Sequence, residues 1–250
     1  MWRRYDSAVQ DFSGIEEKLK RAQQNIFDLD AGIALFFQEG DHPILPEHDR
    51  KLFLEAIEYH KNRVVPPPFS VLAGEIIHHL RSCFDHIVWH FSDTTHITNI
   101  RKIEFPVFDE EPLNHESRRL FEGKIKGITD PNVLALIKGL QPYKAFDPLD
   151  DPLWIIHDSD IVDKHRELVL SFPTGSVFFP VEMKPVIESY QRAHPELDAI
   201  QVARHFKSYG TLMPYISFGD FGRRELQPVI PGLVDLFNYT VDAVNGFEAL

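Results

Sequence analysis

Between Ser70 and Phe91 the sequence concentrates titratable side chains of the types used in acid–base and phosphate chemistry. Arg81 and His86 are the first candidates for a catalytic role. A histidine titrates near neutral pH and can take or deliver a proton, whereas an arginine keeps its charge and offers forked donors to an anionic oxygen. The two residue types are therefore chemically suited to phosphodiester transfer, with Arg81 offsetting charge on the phosphate.

A second polar cluster, Asp163-Lys164-His165-Arg166, lies between the apolar runs LWII and LVL. Charged groups flanked by such runs are partly buried and need partners. We therefore expect the cluster to face the polar side of the Ser70–Phe91 stretch, with His165 or Arg166 near Glu75, His79 or Asp85. His165 and Arg166 then complete a catalytic site, or Asp163 caps a turn and Arg166 closes a buried ion pair with Asp85 or Glu75.

Metal chemistry is an alternative for the same stretch. Glu75 and His78 have the Glu-x-x-His spacing of carboxylate-bridged helical bundles, and Glu75 and His79 lie one helical turn apart. No second Glu-x-x-His lies within the Ser70–Phe91 stretch. We predict no bound metal and no cofactor, and we name Glu75, His78 and His79 as the ligands if a metal is bound.

The spacing of apolar residues predicts a helix over Ser70–Phe91, beginning after Pro66-Pro67-Pro68. One face carries the apolar residues and faces a core. The structural alternative to catalysis is that Arg81 pairs with Asp85 one turn later and His86 is a hydrogen-bonded histidine between helices.

Helical periodicity also marks the two ends of the chain, so we predict a mainly α fold, a helical bundle with a small β-sheet or hairpin insertion. The segment GTLMPYISFGDF has the pattern of a strand or a hairpin, and residues 45–65 fit either helix or strand. Ser13 and Glu16 have the form of a capping box. The first helix has an apolar seam that fits a neighbouring helix or a partner chain, and this seam suggests a homodimer; it consists of Ile15, Leu19, Ala22, Ile26, Leu29, Ile33 and Phe36.

Length and composition fit one globular domain, residues 1–250, with 43% hydrophobic and 26% charged residues. No apolar run approaches the roughly 20 residues of a membrane span, and no signal peptide is evident, so we expect a cytoplasmic protein without membrane contact. The single cysteine, Cys83, agrees with that compartment. A net charge of −12 argues against a general nucleic-acid coat but allows a local basic surface.

The runs GEIIHHLRSCFDHIVWHF, EFPVF, IKGLQPY and DKHRELVL resemble a group of uncharacterised bacterial proteins that have a GE-hhLRS-LDH helix and a DKHR motif. This similarity covers residues 70–170. More remotely, the spacing of Arg81 and His86 resembles the arginine-x4-6-histidine motif of HEPN-type helical proteins, with Ser82 where that motif has Asn, Asp or His. This resemblance implies a helical bundle and metal-independent ribonuclease activity at a dimer interface.

That resemblance implies that RNA is the partner and that His86 takes or delivers the proton of a ribose 2′-hydroxyl. A basic patch, Arg118, Arg119, Lys124 and Lys126, would attract the phosphate backbone; as an alternative it is a solvated helix face. Two further alternatives stay open: a non-catalytic dimeric binding module whose polar helix face is structural, and a metal-binding helical protein.

Overall fold

The computed structural model describes residues 12–41, 55, 58–60, 63–165, 170–171, 175–178, 183–197, 202, 205, 211–218 and 227–250. These residues form seven α-helices, three short 3-10 helices and four short strands. The helices are α1 Ser13–Gln38, α2 Pro67–Phe91, α3 His115–Lys124, α4 Pro131–Gly139, α5 Pro152–His165, α6 Lys184–Ala193 and α7 Val229–Glu248. The mainly helical fold predicted from the sequence is confirmed.

Helix α2 is the central element, and it contacts α1, α5 and α7. It begins at Pro67, three residues before the expected start at Ser70. Proline is compatible with the first turn of a helix, where the backbone N–H has no intrahelical acceptor. Its apolar face is fully buried, with Ile76, Ile77, Leu80, Phe84 and Ile87 all at 0% exposure.

Helix α1 packs along α2 through the predicted apolar seam. Six of its seven residues are buried and Leu19 is partly buried against the same core. The seam is thus buried within the chain and is not available to a partner. The homodimer stays a prediction, but the seam no longer supports it. The capping box at Ser13 is wrong: Phe12 is the N-cap residue, and its carbonyl accepts from the amides of Ile15 and Glu16.

The middle of the chain contains two short helices, α3 and α4, of which α4 packs against α7. The predicted start of α4 is confirmed, because the Asp130 carboxylate accepts from the backbone N–H groups of Asn132 and Val133 and Pro131 occupies the first helical position. The buried Gln141 amide donates to the carbonyls of Pro106 and Ile137 and fixes the chain after α4.

The strands form two short antiparallel pairs. β1 (Leu170–Ser171) pairs with β4 (Ser217–Phe218), and β2 (Gly175–Phe178) pairs with β3 (Thr211–Pro214). Residues 211–218 therefore contain strands, as predicted, but they do not form a hairpin, because β3 pairs with β2 and β4 pairs with β1. Within residues 45–65, Glu55 and residues 58–60 are helical, and much of the rest lies outside the described residues.

Helix α7 closes the bundle against α1, α2, α4 and α5. Its buried residues include Leu233, Leu236, Val244 and Phe247. Within the described part of the chain, no helix is long and apolar enough to cross a membrane.

Candidate functional site

Arg81 lies in the interior, only 4% exposed, with all three guanidinium nitrogens engaged. Its Nη1 donates to Asp85 Oδ1 at 2.7 Å, its Nη2 to the Phe105 carbonyl at 3.0 Å, and its Nε to His157 Nδ1 at 3.3 Å. The predicted Arg81–Asp85 pair is confirmed. Three intrachain acceptors leave this guanidinium committed to α2, α5 and the chain at Phe105.

Asp85 joins this interior network to the surface. Its Oδ1 accepts from Arg81 and also from the Phe105 backbone N–H at 2.9 Å. Its side chain is 38% exposed, so Asp85 reaches solvent although its Oδ1 is hydrogen-bonded to interior groups. The Arg81–Asp85 ion pair therefore binds both backbone groups of Phe105, its N–H through Asp85 and its carbonyl through Arg81.

His157, on α5, accepts the Arg81 Nε hydrogen through Nδ1, which makes it a neutral imidazole with its proton on Nε2. Burial, and then the adjacent Arg81 charge, lower the pKa of His157 from 6.5 to about 4. A protonated His157 would lose the hydrogen bond and place two cations together.

A second charge cluster lies further along the contact between α2 and α5. Asp160 is 3% exposed, and its two oxygens contact His78 Nδ1, at 2.9 Å, and Lys164 Nζ. The expectation that the Asp163–Arg166 cluster faces α2 agrees with this pairing, because Asp163 also lies over α2. Its carboxylate occupies the space in which a side chain at Gly74 would begin.

The remaining parts of that expectation fall on residues that the structure does not describe. The side chain of His165 and the whole of Arg166 lie outside the described residues, so their proximity to Glu75, His79 or Asp85 stays a prediction. Glu75 itself accepts a hydrogen bond from Asn25 of α1 at 3.0 Å.

His86 lies apart from Arg81, in a cavity of about 480 Å³ between α2 and the start of α1. Arg81 is not among the lining residues, whereas Asp85 is. His90 lies one helical turn after His86 and lines the same cavity. We call this the histidine cavity; it is lined by Gly14, Ile15, Asp85, His86, Trp89, His90 and Ile103.

Charge and burial set the protonation of His86. Partial burial and the nearby Lys18 lower the pKa of His86, while Asp85 opposes that shift. His86 makes no hydrogen bond to the described part of the chain. The alternative in which His86 is a hydrogen-bonded histidine between helices is therefore not supported by the described residues. His86 is therefore a neutral imidazole near pH 7, with its nitrogens available to a ligand.

Two further features frame the histidine cavity. The His90 ring lies 4.8 Å from the Phe12 ring, centroid to centroid, which holds it beside the start of α1. Trp89 is 48% exposed at the cavity edge and presents an aromatic surface to solvent. An exposed indole next to two imidazoles can stack a planar group of a bound molecule.

The side chains named for a metal diverge. Glu75 contacts Asn25 of α1, and His78 contacts Asp160 of α5. His79 Nδ1 is buried and lacks a hydrogen-bond partner in the described residues. No group of three or more His, Cys, Asp or Glu side chains among those residues is placed to hold a metal ion.

The predicted basic patch divides in two. Lys124 pairs with Glu104, and Arg119 is exposed on α3. Arg118 and Lys126 line a second cavity, of about 620 Å³, between α3 and α4.

Sequence analysis missed three features of the sites. They are the role of His157, the burial of Asp160, and the shared cavity of His86 and His90, which excludes Arg81. Helical geometry could have predicted the shared cavity, because His86 and His90 lie on one face of the helix and Arg81 lies about 140° from His86. No local pattern marks His157 as the acceptor of Arg81, since the two are 76 residues apart.

Comparisons with protein-family models, with curated proteins and with solved structures found no match. The geometry of the described residues therefore carries the functional argument.

Proposed function

We propose that this chain is a HEPN-like protein that cleaves RNA without a metal, with His86 and His90 as the acid–base pair. The observation that carries the proposal is the histidine cavity, where two imidazoles one helical turn apart line the same space as Asp85. We also propose the cytoplasm as its compartment, because the single cysteine, Cys83, makes no disulfide.

The chemistry follows from the two histidines. A neutral His86 takes the proton of a ribose 2′-hydroxyl, and the 2′-oxygen attacks the adjacent phosphorus. The bond from phosphorus to the 5′-oxygen breaks, and a protonated His90 delivers a proton to that oxygen. The products are a 2′,3′-cyclic phosphate and a 5′-hydroxyl, and the reaction needs no further reactant.

The other residues take supporting roles in this proposal. Arg81 is a positioning residue, because it holds Asp85 at the cavity from inside rather than contacting phosphate. Lys18 is near enough to His86 to affect its pKa, and its charge favours an anionic phosphate. Trp89 offers a stacking surface for a base.

The test is cleavage of mixed RNA in excess chelator by the parent protein, His86→Ala and His90→Ala. We expect the parent to leave cyclic phosphate ends and both variants to lose at least about a hundredfold in rate, the usual size of an acid–base contribution. His115→Ala, an exposed histidine on α3, is the matched control and should cleave like the parent. Cleavage that needs a metal, or that survives in both variants, would contradict the proposal.

A non-catalytic helical module is the second candidate, and the Arg81 network favours it. Removing Arg81 should cost more than about 2 kcal/mol, because the Phe105 carbonyl and His157 Nδ1 lose their donor and Asp85 loses its partner. If RNA is not cleaved by the parent while Arg81→Ala loses about that much in urea unfolding, the polar face of α2 is structural. Arg101→Ala, at an exposed arginine, is the control for that measurement.

A further inference from the structure

The cavity between α3 and α4 combines a cationic rim with an apolar floor. We call it the basic cavity. Arg118, Lys126, Lys138 and Lys144 line it, against two carboxylates, Glu111 and Glu122. In a protein of net charge −12, this local excess of positive charge is opposite in sign to the whole.

The four cations are available to a ligand. In the described part of the chain, none of them lies within ion-pair distance of a carboxylate, whereas Lys124 nearby is paired with Glu104. Arg118 donates its Nε to the Pro112 carbonyl at 3.2 Å, which orients the guanidinium and leaves its two terminal nitrogens for an anion. Lys144 lies over the Tyr143 ring, 5.1 Å from its centroid.

The rim is held by a rigid backbone. Gly127 has φ +102°, and a Cβ there would lie 2.6 Å from the Asp93 carbonyl oxygen, so the turn after Lys126 requires glycine. The Asp93 amide donates to the Gly127 carbonyl at 3.0 Å and fixes the same turn. Cations on a fixed backbone lose less freedom when a ligand binds.

The floor indicates what the anion is attached to. Phe121, Ile125 and Ile128 are buried and line the cavity. The volume of about 620 Å³ suits a small organic molecule rather than a bare ion. The two carboxylates can only accept hydrogen bonds, which suits the amino group of a base or the hydroxyls of a ribose.

We propose that the basic cavity binds a nucleoside phosphate, with the phosphate on the cationic rim and the base on the apolar floor. Lysine and arginine together bind a multiply charged phosphate as point charges and forked donors. Burial and Glu111 raise the pKa of Tyr143, so its hydroxyl remains a donor at neutral pH. A free mononucleotide and the 5′-phosphorylated end of an RNA strand share this chemistry.

Calorimetric titration with adenosine monophosphate tests the site. We expect binding by the parent that weakens at least about tenfold, which corresponds to 1.4 kcal/mol, in the double variant Lys126→Glu/Lys138→Glu. Arg101→Glu/Lys102→Glu changes the charge equally at two exposed residues outside the cavity and should bind like the parent. Adenosine and inorganic phosphate should each bind more weakly than the monophosphate.

The second arm replaces the mononucleotide with a 5′-phosphorylated RNA oligonucleotide and identifies the source of the phosphate. Absence of binding by adenosine monophosphate, or equal binding by the Lys126→Glu/Lys138→Glu variant, would overturn the proposal. Inorganic phosphate binding as tightly as the monophosphate would also overturn it. The inference is separate from RNA cleavage because it uses another cavity, so His86→Ala should bind the mononucleotide like the parent.

Discussion

At the scale of single residues, Arg81 and His157 form the tightest constraint in the protein. Arg81 carries a permanent charge at 4% exposure, and the structure surrounds it with one carboxylate, one carbonyl and one imidazole nitrogen. Only the neutral form of His157 can accept from Arg81. The protonation of one histidine is therefore linked to the stability of the contact between α2 and α5.

We expect His157 to make the protein less stable in acid. Its pKa is about 4 in the folded chain and 6.5 ordinarily, so the unfolded chain binds a proton first as the pH falls. The contribution is fully present above pH 6.5, is lost as the pH falls toward 4, and amounts to about 3 kcal/mol. Urea unfolding at a series of pH values measures it.

His157→Asn supplies the comparison, because an amide oxygen can accept from Arg81 and does not titrate. Relative to the variant, the parent should lose about 3 kcal/mol of unfolding free energy as the pH falls from 6.5 to 4. His79 and His86, whose pKa values are also lowered, remain in both proteins and cancel in that difference. A difference that stays constant over this range would show that His157 is not linked to folding.

At the scale of elements, the close approach of α2 and α5 depends on a missing side chain. The Asp163 carboxylate lies over Gly74, within the space that a Cβ would fill. Gly74 is in the interior of α2, where alanine would otherwise be the better helix former by about 1 kcal/mol. Glycine is thus used here for helix packing rather than for a turn.

Gly74→Ala should destabilise the protein by about 1–3 kcal/mol, the usual cost of overpacking, in spite of the gain in helix propensity. Thermal and urea unfolding measure the change. Gly123→Ala on α3 is the matched control, since nothing lies within 4 Å of its Cβ position, and it should be stabilising by about 0.5 kcal/mol.

A double variant identifies the cause. In the Asp163→Ala background the carboxylate is gone, and Gly74→Ala should then be neutral or stabilising. If Gly74→Ala costs the same in both backgrounds, Asp163 is not what limits the approach of α5.

The helices could be predicted from the sequence because apolar spacing reports which face of a helix is buried. The α1 seam and the apolar face of α2 are two examples, and the N-cap at Asp130 is a local signal of the same kind. The start of α2 was misplaced because proline in a first turn resembles a break before a helix. Local sequence patterns predict single helices but do not predict which helices contact each other.

The candidate sites could be predicted only in part, because they depend on contacts between distant elements. Arg81–Asp85 lies within one helical turn and was predicted correctly. The acceptors at Phe105 and His157 are 24 and 76 residues away, and nothing near Arg81 indicates them. The histidine cavity likewise needs the start of α1 beside α2.

At the scale of the whole molecule, one connected core runs from Phe12 to Phe247. Helix α7, from the end of the chain, contacts α1, from its beginning, and also α2, α4 and α5. Five helices therefore bury apolar residues against elements that are distant in the sequence: α1, α2, α4, α5 and α7. Burial shared in this way makes it costly for any one helix to leave on its own.

We accordingly expect the chain to unfold as a single cooperative unit. A substitution that destabilises α7 should therefore shift the unfolding of α5 by the same amount. Leu233 is fully buried on α7, and Leu233→Ala should cost about 2–5 kcal/mol. A protein carrying Trp2→Phe and Trp89→Phe keeps Trp154 on α5 as its one tryptophan, which can be excited selectively at a wavelength that tyrosine does not absorb, while circular dichroism reports all helices. In urea, both signals should show the same midpoint, and Leu233→Ala should lower both equally. Val234→Ala, at the exposed neighbour, should change the unfolding free energy measured by either signal by less than about 0.5 kcal/mol. Two separate midpoints, or a Leu233→Ala effect confined to circular dichroism, would mean that α5 and α7 belong to units that unfold independently.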